Sequence, residues 1–218
     1  MDVENIERYD KAEEIANAVT HGIAGVFSIA ALVLMIVFSA VKGTAAHVVG
    51  SAIFGSSLII LYTASTIYHA LTHKKAKYVF EILDHSAIYI LIAGTYTPFT
   101  LTALRGPVGW TLFGVIWGMA AIGIAFKAFF VRRFMVVSTL IYIAMGWTII
   151  FVFSDLKANF HENGIFLLAL GGVLYTVGTI FYMWRKMRFH HALWHLFVMA
   201  GSFCHVFSVM LYLIPVLS

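Results

Sequence analysis

Seven stretches without a single Asp, Glu, Lys or Arg divide the chain: 15–41, 43–73, 85–104, 106–126, 134–154, 163–184 and 189–218. Each holds at least 20 residues, and a helix needs roughly 20 residues to cross a hydrocarbon core of about 30 Å. Lipid offers no partners to backbone N–H and C=O groups, so apolar runs of this length fold as helices rather than open strands. Composition agrees: 61% of residues are hydrophobic and 11% charged, where a soluble domain carries about 25% charged residues. A soluble protein with a very large core would scatter its charges; here they gather between the runs. The expected fold is an all-α integral membrane protein with seven transmembrane helices. Spans are expected at about 15–41, 44–72, 82–104, 106–126, 134–154, 163–184 and 189–214, in one domain covering 1–218. The expected location is the cell membrane, as a multi-pass protein.

Several classes drop out on the same grounds. The first run follows the acids Glu4, Glu7, Glu13 and Glu14, whereas a signal peptide opens on a basic region and a short apolar core. Cys204 is the single cysteine, so no intramolecular disulfide forms. The formal charge of +4 is not a nucleic-acid footprint, because Lys and Arg sit at span ends and not on one surface.

Eleven of the fourteen Lys and Arg residues fall on one side of the seven-span topology. They are Arg8 and Lys11; Lys74, Lys75 and Lys77; Lys127, Arg132 and Arg133; and Arg185, Lys186 and Arg188. The other side has Lys42, Arg105 and Lys157. The positive-inside rule puts the N-terminus in the cytoplasm and the C-terminus outside. Pro98 lies within helix 3 and is expected to kink it near Gly94. Gly114 and Gly118, and likewise Gly171 and Gly172, read as small residues for close helix contact.

This topology brings polar residues to one leaflet. Helix 2 runs inward and ends on Ser65 and His69; helix 3 opens with Asp84 in its first turn; helix 7 opens with His191 and His195. Ionisable groups inside a span are costly and mark candidate functional sites. Residues four apart share a helix face, so His191 and His195 can address one ion, with His69 as a third nitrogen ligand. Three protein ligands plus an open position is the arrangement of catalytic zinc, which lowers the pKa of bound water to about 7. Three imidazoles beside a carboxylate suit Zn2+. Asp84 is the candidate general base, and Ser65, one turn before His69, is placed to orient the ligand or the water.

Blander readings stand beside this one. A ring near a helix end is comfortable at the membrane interface, which covers His47 and His161. Asp84 alone reads as an acid at a helix N-terminus. His21 and His85 lie at the cytoplasmic level as outer neighbours of the site. His205 is ten residues beyond His195, about 15 Å along the helix, too far to share its ion.

The ordered set of motifs resembles the hemolysin III group of the progestin and adiponectin receptor family, bacterial branch. It comprises Glu14-Ile-Ala-Asn17-Ala-Val-Thr20-His21, Ser65-x-x-x-His69, Asp84, Gly94-Thr-Tyr-Thr-Pro98, His191-x-x-x-His195 and His205. The resemblance implies zinc held by His69, His191 and His195 near the cytoplasmic face, with Asp84 and Ser65 around its water. It also implies membership of a metal-dependent membrane hydrolase grouping, with ceramidase-like activity, cytolysis and membrane lipid homeostasis as the associated roles. With so few residues before the first span, the long N-terminal domain of the receptors is not expected here.

Three functions follow. The first is a zinc-dependent hydrolase of a lipid amide or ester, with the substrate chain lying between helices and membrane lipids as the partners. The second is a zinc-containing sensor of membrane state without turnover. The third is a cytolytic pore, disfavoured because no helix carries a polar stripe along its length.

Overall fold

The computed structural model describes residues 9–215; Glu4, Glu7 and Arg8, which entered the charge argument, lie outside them. Among the described residues the chain is all-helical, in seven rods. These are α1 Lys11–Lys42, α2 Ala45–Ala70, α3 Lys74–Leu101, α4 Pro107–Phe130, α5 Met135–Asn159, α6 Glu162–Met183 and α7 His190–Leu213. All but α3 are long and apolar enough to cross a membrane, six in number. Helix α1 packs on α2, α2 on α3, α3 on α4 and α6 on α7, and α1 closes onto α7.

Polar side chains are buried among apolar ones inside the bundle, and its outer surface is rich in apolar residues. The buried face of α1 is Asn17, His21, Ala24, Ser28, Met35 and Ser39, while Val26, Phe27, Val33 and Val41 on its other face are exposed. Lipid tails are as apolar as leucine, so helices there associate through small residues and interhelical hydrogen bonds. Ser39 bonds Ser51 at 2.9 Å between α1 and α2. The Tyr62 hydroxyl of α2 donates to Ser202 of α7 at 2.7 Å, and Tyr175 of α6 meets that same Ser202 at 2.8 Å.

Helix α3 departs from expectation at its start. It begins at Lys74, not near 82, so Asp84 lies three turns inside it and does not cap it. A charge-free window excludes Lys77 and Glu81, yet both are paired: Lys77 with Glu14 and Glu81 with Arg132. The N-cap is His73, whose ring accepts from the Ala76 N–H. Fourteen of the 28 residues of α3 are buried, against six of 32 in α1. Helix α3 is the least apolar of the seven, and neighbouring helices bury half of its residues.

Glycine contacts divide the two expected pairs. A Cβ on Gly114 or Gly118 would meet nothing within 4 Å, so this pair makes no close helix contact in the chain. Gly171 does: its Cβ would strike the His205 ring and come within 3.0 Å of the Gly201 carbonyl, whereas Gly172 meets Trp147 at an ordinary 3.6 Å. The helix continues through Pro98 to Leu101, and Gly50 of α2 lets the backbones meet there, its Cβ position lying 2.7 Å from Pro98 Cα.

Helix α5 is interrupted by a 3₁₀ segment, Trp147–Val152. Such a stretch frees backbone groups, and the Tyr96 hydroxyl of α3 takes them up. It donates to Gly146 O at 2.7 Å and accepts from Ile149 N at 2.9 Å. Because α5 touches α3, α4 and α6 only sparsely, a cavity of about 440 Å³ opens between α3, α5, α6 and α7.

Candidate metal centre

Three imidazoles converge at one end of the bundle. His69 comes from the last turn of α2, and His191 and His195 from the first turns of α7. One nitrogen of each lies within 4.8 Å of the others, and all three residues are buried. Neighbouring helices fix which nitrogen is free. The Nδ1–H of His69 donates to Glu14 Oε2 at 2.7 Å, leaving its buried Nε2 without a partner. His195 directs Nδ1 at the Asn17 carbonyl, 3.2 Å, and at Thr20 Oγ1, 3.1 Å. Thr20 gives its own proton to Ala16 O at 2.8 Å, so it accepts from the imidazole. Both nitrogens of His191 are buried and unpartnered.

This is how metal-ligating histidines are held: the outer ring nitrogen donates to a carboxylate or carbonyl, which sets the tautomer and aims the other nitrogen at the ion. Buried polar atoms are normally satisfied, so orphaned nitrogens on convergent rings fit a group that supplies the missing contacts. The residues present could hold a metal ion.

The sequence reading assigned no role to Glu14, Asn17 and Thr20. Their signal was a polar face in an apolar helix, Glu14, Asn17 and His21 at i, i+3 and i+7. Glu14 also takes Lys77 Nζ at 2.7 Å, and that ammonium reaches the Tyr68 and Leu71 carbonyls that end α2. One carboxylate thereby ties α1 to α2 and α3.

Around the cluster, Ser65 is fully buried one turn before His69, with no hydrogen-bond partner for its Oγ. Asp84 is buried, with the His85 ring 3.7 Å away. A small cavity of about 40 Å³ has Asp84, His191, His195, His21 and His85 in its wall, which is room for water. Ile88, Tyr175, Tyr182 and Trp194 line both it and the large apolar cavity. His205 lies at the far part of that large cavity, its Nε2 donating to Leu168 O at 3.1 Å. His47 and His161 serve as local caps, each accepting from a backbone N–H at a helix start.

A clasp joins the start of α1 to the start of α7. Tyr9 lies over His69, His190 and His191 at ring separations of 5.9, 5.7 and 5.1 Å. Asp10 meets Arg188 at 3.2 Å, and its carboxyl is held below its ordinary range by the Glu13 N–H, with Arg188 adding to this against slight desolvation. Phe189 has φ +57, a left-handed conformation that costs a side chain roughly 1–2 kcal/mol, and Glu13 accepts its N–H at 2.8 Å.

Comparison with known proteins gives a consistent result. The profile of the family described as "Haemolysin-III related" matches residues 9–206. The chain is 53% identical over 206 residues to "Hemolysin-3" of Bacillus cereus, covering 94% of each. To "Hemolysin-3 homolog" of Bacillus subtilis (strain 168) it is 53% identical over 204 residues, covering 94% of this chain and 96% of the relative. A human relative, "Monocyte to macrophage differentiation factor", is 30% identical over 167 residues, 74% of this chain and 69% of its own. Six apolar helices and these relatives mark a multi-pass membrane protein of the cell membrane.

Proposed function

The chain belongs to the haemolysin-III related family, and from that premise we propose that it is a zinc-dependent intramembrane hydrolase of a lipid amide or ester. His69, His191 and His195 are the ligands in this reading. The observation that carries it is the convergence of three buried imidazoles, with His69 Nε2 and both His191 nitrogens unpartnered, beside a small cavity walled by Asp84, His191 and His195 that shares wall residues with a large apolar one. Bound there, zinc supplies Lewis acidity and makes hydroxide available near neutral pH.

The chain's own residues do the rest. Glu14 holds His69, and Asn17 with Thr20 holds His195. The Asp84 carboxylate takes a proton from water in the small cavity as the water oxygen bonds to the carbonyl carbon. It returns that proton to the amine or alcohol that leaves as the C–N or C–O bond breaks. Ser65, whose hydroxyl is within reach of Asp84, orients that water. The large cavity, whose wall is overwhelmingly apolar, takes an acyl chain and keeps bulk water away. In this reading α3 is a seventh span shielded by its neighbours, the N-terminus is cytoplasmic and the C-terminus outside.

The test uses purified, zinc-loaded protein in mixed micelles with N-dodecanoyl sphingosine and didodecanoyl phosphatidylcholine. Wild type should release dodecanoate, and Asp84→Asn should bind zinc normally yet lose at least roughly 100-fold in kcat. Release undiminished in His191→Ala, with its zinc lost, would falsify the reading. A non-catalytic sensor is the second reading, favoured by Glu14, which ties three helices to a ligand; zinc retained with no release of any lipid product supports it. The "Hemolysin-3" relatives raise cytolysis, for which leakage from protein-containing liposomes is the readout.

A further inference from the structure

Two histidines among the described residues have both ring nitrogens buried and unpartnered: His191, assigned above as a ligand, and His21. His21 lies on the polar face of α1, is 3% exposed, and lines the small cavity with Asp84, His191 and His195. Its ring stacks on His195 at 3.4 Å with planes 11° apart. A metal binds an imidazole in the plane of the ring, where the nitrogen lone pair points. Two parallel rings stacked face to face cannot both hold one ion in plane, so His21 does not complete the coordination of the ion that His195 holds. Tyr62 meets His21 edge-on at 4.9 Å, but its hydroxyl is committed to Ser202.

A neutral imidazole has one donor and one acceptor nitrogen, and here the protein satisfies neither. Orphaned pairs in a protein interior are uncommon and call for a ligand or water. We propose that His21 is a substrate-contacting hydrogen-bond donor, its N–H directed at the carbonyl oxygen of the lipid amide or ester in the small cavity. Charge builds on that oxygen as water adds, and a donor already in place stabilises it without reorganising. Stacking on His195 and edge contact with Tyr62 hold the ring still. The inference rests on the hydrolase reading and names a group that acts on the substrate from the side opposite α3.

His21→Phe keeps a flat ring against His195 and removes both nitrogens; His21→Asn restores an N–H donor. The cobalt-substituted protein reports coordination by its visible absorption. His21→Phe should keep one metal per chain and an unchanged cobalt spectrum while kcat on N-dodecanoyl sphingosine falls roughly 100-fold and KM stays within about threefold. His21→Asn should regain roughly tenfold of that loss. An altered cobalt spectrum, wild-type kcat in His21→Phe, or no recovery in a folded His21→Asn overturns the proposal. Binding of dodecanoate to the metal-loaded protein separates the two readings. If wild type hydrolyses nothing but binds dodecanoate, and His21→Phe weakens that binding roughly tenfold, the hydrolase reading fails and the His21 contact stands. Equal binding by the two proteins, or none by wild type, overturns the contact as well.

Discussion

Single carboxylates and imidazoles carry this site, and Glu14 is the residue on which most depends. It accepts from His69 Nδ1 and from Lys77, both at 2.7 Å. Glu14→Gln keeps the shape and removes the charge, so zinc affinity should fall roughly 10–100-fold. Competition with a chromophoric chelator measures this; unchanged affinity would remove Glu14 from the account. The three-histidine cluster was legible because an i, i+4 histidine pair declares a shared face and His69 falls at the matching depth. Glu14's role was not, because it meets His69 across 55 positions; the sequence showed it only as part of a motif and of the polar periodicity along α1. Asp84 does lie in the wall of one cavity with His191 and His195, but its surroundings were not legible. Lys77 and Glu81, which lie between two apolar windows, are themselves helical and paired.

At the scale of elements, the bundle is held where helices come close, and spacing alone does not show where that is. Gly171→Ala would push a methyl into His205 and toward the Gly201 carbonyl, overpacking α6 against α7 at a cost of roughly 1–3 kcal/mol. Gly114→Ala, facing open space, should change stability by no more than about 0.5 kcal/mol. Thermal unfolding of both variants in detergent checks the contrast, and equal midpoints would contradict the packing. In sequence the two glycine pairs look alike, since composition reports a small residue and not what lies opposite. Helix ends were legible to within a few residues where charges bound an apolar run, the start of α3 excepted. The 3₁₀ break in α5 was invisible, because the hydroxyl that takes up its freed backbone groups, Tyr96, belongs to another helix.

For the whole molecule, the apolar exterior and the multi-pass fold follow from the seven charge-free runs, while a set of polar side chains is buried among the apolar core residues. Sidedness rests on the Lys and Arg count. In a Cys204→Ser background, Lys157→Cys should react with a membrane-impermeant maleimide on intact cells, and Lys186→Cys only after permeabilisation. The reverse pattern would invert the topology. The central claim, that helices distant in sequence build one three-histidine zinc site, has its most direct test in the zinc content of purified protein by mass spectrometry. The account predicts one zinc per chain in wild type and in Asp84→Asn, and loss in each of His69→Ala, His191→Ala and His195→Ala. Wild type without metal, or full zinc content in all three histidine variants, would contradict it.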